Sequence, residues 1–126
     1  MSTKKRVMVI DDEKDFLMIT KMNLEETGRY DVMTLSSGKN VIDEIHKFKP
    51  DIILLDMLMP SIGGLEICAL LNEDPIGKDI PVIIISALEK DKDKLSAYKQ
   101  GIVDYAIKPI EKDDIIARIE KALKFK

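Results

Sequence analysis

The chain has 126 residues, enough for one domain that buries roughly two-thirds of its unfolded surface and too few for a second domain of full size. Charged residues at 34% and apolar residues at 45% exclude whole-chain disorder, and the net charge of −3 gives no general attraction to nucleic acid or anionic membrane. The single cysteine, Cys68, has no partner for an internal disulfide and no metal-thiolate spacing around it, which suits a reducing, cytoplasmic setting.

In chain order, Lys4, Lys5 and Arg6 precede the apolar run Val7–Ile10, which Asp11 and Asp12 stop after four residues. A secretory core needs roughly 7–15 apolar residues and a membrane span about 20, so neither is expected. Four further runs follow at Val32–Leu35, Ile52–Leu55, Val82–Ile85 and Tyr105–Ile107. Near-continuous Val, Ile and Leu marks strands buried on both faces of a parallel sheet. The Val32 run, with Tyr30 before it and Thr34 inside it, reads as an edge strand.

Helical spacing fills the intervals. Residues 14–27 carry Phe16, Leu17, Thr20 and Leu24, with Gly28 placed to end the helix. Ser37 is expected to cap a helix bearing Val41, Ile42 and Ile45 that stops before Pro50. Leu65, Cys68, Ala69 and Leu71 mark a third helix; Leu95 and Tyr98 anchor a fourth, closed by Gly101. Ile115, Ile116, Ile119, Ala122 and Leu123 form a stripe running to the C-terminus. Five strand–helix alternations, with no repeat or linker between them, predict one doubly wound α/β domain over residues 1–126.

Such sheets bind ligands beyond the carboxyl ends of their strands. There the sequence places Asp11, Asp12 and Glu13 after the first run, Asp56 after the third, Ser86 after the fourth and Lys108-Pro109 after the fifth. Singly, each has an ordinary explanation: Asp11 or Asp12 as cap of the first helix, Ser86 as cap of the fourth, Lys108 as a solvated lysine. Jointly they gather three carboxylates, a hydroxyl and an ammonium on one rim. Two carboxylates about 5 Å apart repel by roughly 3 kcal/mol at an effective dielectric near 20, so a cation is called for. Hard oxygen ligands suit Mg²⁺, which with Lys108 balances three carboxylates, and a phosphoryl group fits the remaining positions. A nucleotide site of the Rossmann or P-loop kind needs glycines after the first strand, where this chain has Asp-Asp-Glu.

These residues, Asp11-Asp12, Asp56-Met57-Leu58-Met59-Pro60 with Gly63-Gly64, Ser86-Ala87, and Gly101 followed by Asp104-Tyr105 and Lys108-Pro109, resemble the bacterial response-regulator receiver domain in order and spacing. The resemblance covers essentially the whole chain. It implies a five-stranded parallel sheet of flavodoxin-like order 2-1-3-4-5 flanked by five helices, and a phosphorylation-activated switch in two-component signalling. Asp56 would accept the phosphoryl group. Asp11, Asp12, Asp56 and the backbone carbonyl of Met57 would hold Mg²⁺. Lys108 would contact the acyl phosphate, the Ser86 hydroxyl would move toward it, and Tyr105 would rotate into the space vacated. The face of the fourth helix, fifth strand and fifth helix would be remodelled. The Lys108-Pro109 peptide would be cis.

The implied partners are a sensor histidine kinase or phosphotransfer protein upstream and an output domain or effector downstream, with a phosphorylation-dependent homodimer left open. Neither a helix-turn-helix nor a concentrated basic face is present, so direct nucleic-acid binding is not expected. The reading ends with the fifth helix at Lys126, which suits a single-domain regulator or a receiver cut from a longer protein. The chain is expected to be a phosphoacceptor rather than an enzyme. A haloacid-dehalogenase-type phosphatase or mutase would need an acid where Leu58 stands, and a pseudo-receiver has no reason to keep clustered carboxylates.

The chain departs from the family's common pattern in having Ile102 after Gly101, where a small residue is frequent, and Ser86 in place of Thr. Leu58 and Leu88 offer no group to orient an attacking water, which predicts slow self-dephosphorylation. His46 is expected at the surface, away from the rim. Asp91–Lys94 reads as a solvated helix start, Met57 and Met59 as loop packing, and the other methionines as core filler.

Overall fold

The computed structural model describes residues 3–124. Its strands are β1 (Lys5–Ile10), β2 (Tyr30–Leu35), β3 (Ile52–Leu55), β4 (Val82–Ser86) and β5 (Asp104–Ile107). Its helices are α1 (Lys14–Glu26), α2 (Val41–Phe48), α3 (Gly64–Glu73), α4 (Asp91–Lys99) and α5 (Lys112–Lys124), with a 3₁₀ turn at Gly77–Asp79. All strand pairs are parallel, and the order is β2-β1-β3-β4-β5. The five predicted strands and five helices are all present, and β2 lies at an edge. The part of the fifth helix expected at Phe125 and Lys126 falls outside the described residues.

Strand side chains alternate between faces, and this divides the central runs between two cores. Met8, Ile10, Ile53, Leu55, Val82 and Ile84 pack with Val41 and Ile45 of α2, Ile67 and Leu71 of α3 and Ala97 of α4. Val7, Val9, Ile52, Leu54, Ile83 and Ile85 pack with Leu17 and Leu24 of α1 and Ile115, Ile116 and Ile119 of α5. Continuous apolar runs are therefore needed in the middle of the sheet, where both faces are covered. Gly28 closes α1 at φ +77°, a left-handed conformation that costs glycine no side-chain clash.

Several expected details differ. Ser37 does not cap α2: its hydroxyl accepts the Lys39 N–H at 3.3 Å, and the helix begins after Asn40, which stands in the left-handed region at φ 65°. On α4, Leu95 and Tyr98 are 56% and 46% exposed, while Ala97 is fully buried. This short helix turns its smallest apolar residue toward the sheet. Ala69 faces solvent, and Ile67 takes its place in the core beside Cys68. Met18 and Met22 lie exposed on α1, so only some methionines fill the core. Ile102, by contrast, is accommodated there in full.

His46 is at the surface as expected, but it is not free. Its Nε2–H donates to Asp74 at 2.8 Å, and the same carboxylate accepts the N–H groups of Ile76 and Gly77. Those backbone bonds, together with His46, hold the Asp74 carboxyl below its usual range.

Candidate functional site

The sheet ladder runs one residue past three of its strands and so fixes the rim. The Asp11 N–H donates to Leu35 O at 3.0 Å, Asp56 N–H to Ile10 O at 3.0 Å, and Lys108 N–H to Ser86 O at 2.8 Å. Because β1 and β3 are neighbours, Asp11 and Asp56 leave adjacent strands at the same level. Below them the β3–α3 loop passes close to α3. A Cβ on Gly64 would stand 2.7 Å from the Asp56 carbonyl oxygen, so only glycine permits this approach.

Asp11, Asp12 and Asp56 each offer a carboxylate oxygen within 4.8 Å of the others. Asp11 and Asp56 are buried, and Asp12 is exposed. Lys108 reaches over them from β5. Its Nζ lies 2.7 Å from Asp11 Oδ2, 2.7 Å from Glu13 Oε1 and 3.6 Å from Asp56 Oδ2. The Phe16 ring centroid is 4.5 Å from the same nitrogen. Burial pushes the Asp11 carboxyl above its ordinary value, against the pull of the Lys108 bond. Burial also disfavours the charged form of Lys108, but the bonds to Asp11 and Glu13 outweigh it and its pKa rises.

Ser86 and Tyr105 form a second cluster. Ser86 is fully buried and its hydroxyl accepts the Leu88 N–H at 3.3 Å; the Tyr105 hydroxyl donates to Leu88 O at 2.9 Å. One residue of the β4–α4 loop thus ties the two expected switch positions together. Tyr105 is turned inward at 7% exposure, and burial raises its phenol pKa, with the Ser86 hydroxyl opposing. The ordinary capping explanations fall away: α1 starts after Glu13, whose N–H donates to Asp11 Oδ1 at 2.9 Å, and α4 starts after Lys90, well beyond Ser86. The Lys108-Pro109 peptide is cis.

The residues fit a hard divalent cation. Three carboxylates converge, two are buried, and their near compensation is a single ammonium, a donor set suited to Mg²⁺. The Met57 carbonyl accepts the Gly64 N–H at 3.0 Å, so only its second lone pair is open to an ion. Glu13 and Phe16 were not expected to touch Lys108. Glu13 had a signal in the Asp-Asp-Glu run, but Phe16 reads as an ordinary core position of α1.

A family model of the response regulator receiver domain matches residues 7–120. The chain belongs to the response-regulator receiver family. This receiver domain is 32% identical over 120 residues to the alkaline phosphatase synthesis transcriptional regulatory protein PhoP of Bacillus subtilis (strain 168), covering 95% of the chain and 49% of that relative. It is similar in structure to the receiver domain of a Francisella response regulator, with a TM-score of 0.86 and 32% identity over 96% of this chain and 98% of that one. The Vibrio cholerae chemotaxis protein CheY4 shares the fold, with a TM-score of 0.89 at 19% identity, covering 94% and 98% of the two chains. The chain spans about half the length of the curated relatives it matches. Among the described residues, no helix is long and apolar enough to cross a membrane.

Proposed function

We propose that this receiver domain accepts a phosphoryl group on Asp56 in a Mg²⁺-dependent reaction and passes the change to the face formed by α4, β5 and α5. The observation that carries the reading is the buried Asp56 carboxylate with Lys108 3.6 Å away and two further carboxylates at its side. An Asp56 oxygen forms the new P–O bond as the donor's P–N or P–O bond breaks, and the leaving atom takes the electron pair. Lys108 supplies an N–H to the phosphoryl oxygens as charge gathers on them. Asp11, Asp12 and Asp56 would hold the Mg²⁺, with the Met57 carbonyl contributing only through its second lone pair. A bound ion neutralises carboxylate and phosphoryl oxygens that otherwise repel.

Phosphorylation adds negative charge and acceptor oxygens near the hydroxyl of Ser86. Leu88 is bonded to both Ser86 and Tyr105, so drawing Ser86 toward the new oxygens releases the Leu88 N–H and alters the loop that holds Tyr105. The upstream partner is a sensor histidine kinase or phosphotransfer protein, and the downstream partner an output domain or effector. The transcriptional role in the name of the Bacillus subtilis relative supports an output of that kind. The chain itself is a phosphoacceptor that catalyses its own transfer and loses the group slowly; it acts in the cytoplasm without binding nucleic acid directly.

Intact-protein mass after incubation with Mg²⁺ and acetyl phosphate tests the reading. A single phosphoryl adduct is expected, absent in Asp56→Asn and absent with a chelator. No adduct under conditions that label another receiver domain would overturn it in favour of a phosphorylation-independent binding module.

A further inference from the structure

Lys108 is held more firmly than a contact with Asp56 alone requires. An ammonium has three N–H donors. One goes to Asp11 Oδ2 and one to Glu13 Oε1, each at 2.7 Å, and the third remains for the group on Asp56. The Phe16 ring lies against the nitrogen at 4.5 Å and limits its motion on that side. Asp11 is also one of the three carboxylates that converge for a cation, so a bound ion shares its charge and weakens its hold on lysine. Glu13 is different. Its carboxylate is outside that group of three, and its side chain, 63% exposed, folds back onto a lysine side chain only 12% exposed. The long lysine stem has many rotamers, and an ammonium near a divalent cation is pushed away by it.

From this geometry we infer that Glu13 is a positioning residue: it fixes the Lys108 ammonium beside Asp56 by accepting a second hydrogen bond from outside the group of metal ligands. The inference rests on the reading of Asp56 as phosphoacceptor. Its essential element is the acceptor atom, not the charge, so Glu13→Gln retains the function and Glu13→Ala loses it.

Two measurements on the full chain test this. The first is the ¹H–¹⁵N signal of the Lys108 ammonium, assigned by its loss in Lys108→Arg, which needs neither metal nor phosphodonor. A slowly exchanging signal is expected in the wild type and Glu13→Gln, with rapid exchange in Glu13→Ala. The second is the rate of Asp56 labelling by acetyl phosphate at saturating Mg²⁺. Glu13→Ala is expected to be about tenfold slower, as for a misplaced catalytic group, and Glu13→Gln within about threefold of wild type. Thermal midpoint and Mg²⁺ affinity should stay unchanged in both variants.

Wild-type labelling together with a protected Lys108 signal in Glu13→Ala would overturn the inference. So would a Glu13→Gln variant as slow as Glu13→Ala, which would assign the effect to charge. A wild type that does not label overturns the phosphoacceptor reading instead, and the ammonium signal still reports whether Glu13 holds Lys108.

Discussion

Leu58 stands beside Asp56 with 54% of its surface exposed, and its backbone N–H donates to Asp56 Oδ1 at 3.3 Å. Its side chain carries neither donor nor acceptor, and the same is true of Leu88 across the rim. A water attacking an aspartyl phosphate from that side has nothing to orient it. Leu58→Asn is expected to shorten the lifetime of the phosphorylated protein by on the order of tenfold, measured as decay of the adduct by mass after donor removal. An unchanged lifetime would count against slow dephosphorylation being set at this position. The convergence of Asp11, Asp12, Asp56 and Lys108 was legible because each follows an apolar run within two residues. Glu13's contact was not, since its partner lies 95 positions away and depends on how the lysine stem folds back. Nor was the Gly64 N–H bond to the Met57 carbonyl, which depends on the path of the loop and not on side-chain type.

At the level of elements, α4 shows where apolar spacing misleads. The helix has nine residues, and its two largest apolar side chains, Leu95 and Tyr98, point away from the sheet. Close approach to the sheet selects Ala97 by size, and size is invisible to a reading that weighs hydrophobicity alone. Ala97→Leu is therefore expected to destabilise the domain by about 1–3 kcal/mol through overpacking, while Leu95→Ala stays within about 0.5 kcal/mol, both read from urea midpoints. Equal losses would place Leu95 in the core. Ala69, which the sequence suggested as core, faces solvent, and Ile67 fills the core in its place. The clean helices were α2 and α5, where buried positions recur at full helical spacing through Val41 and Ile45, and through Ile115, Ile116 and Ile119. Ser37 misled for a different reason. Its hydroxyl is spent on a turn of its own, two residues ahead, and local side-chain bonds of this kind compete with helix caps.

For the molecule as a whole, the alternation of five strands and five helices was legible from runs and spacing, and the strand order followed from the family resemblance. That order, with β1 between β2 and β3, brings the carboxylates of two adjacent strands together. Crowded carboxylates cost stability that a cation restores. Mg²⁺ at ten times its dissociation constant is expected to stabilise the fold by about 1.4 kcal/mol. For a domain of this size that is roughly 5 °C in Tm. Asp12→Ala should abolish most of the shift; an undiminished shift would place the ion elsewhere.

The ion pair between Lys108 and Asp11 joins residues 97 positions apart, and Asp56 lies between them in the chain. A chain synthesised only as far as residue 100 of this sequence holds Asp11, Asp12 and Asp56 but not Lys108. Such a nascent chain, or a fragment left by proteolysis within α4, carries the three carboxylates without the ammonium that pairs with them. Charge balance at the rim is thus tied to completion of β5, and an unfinished or clipped copy leaves the carboxylates without their lysine.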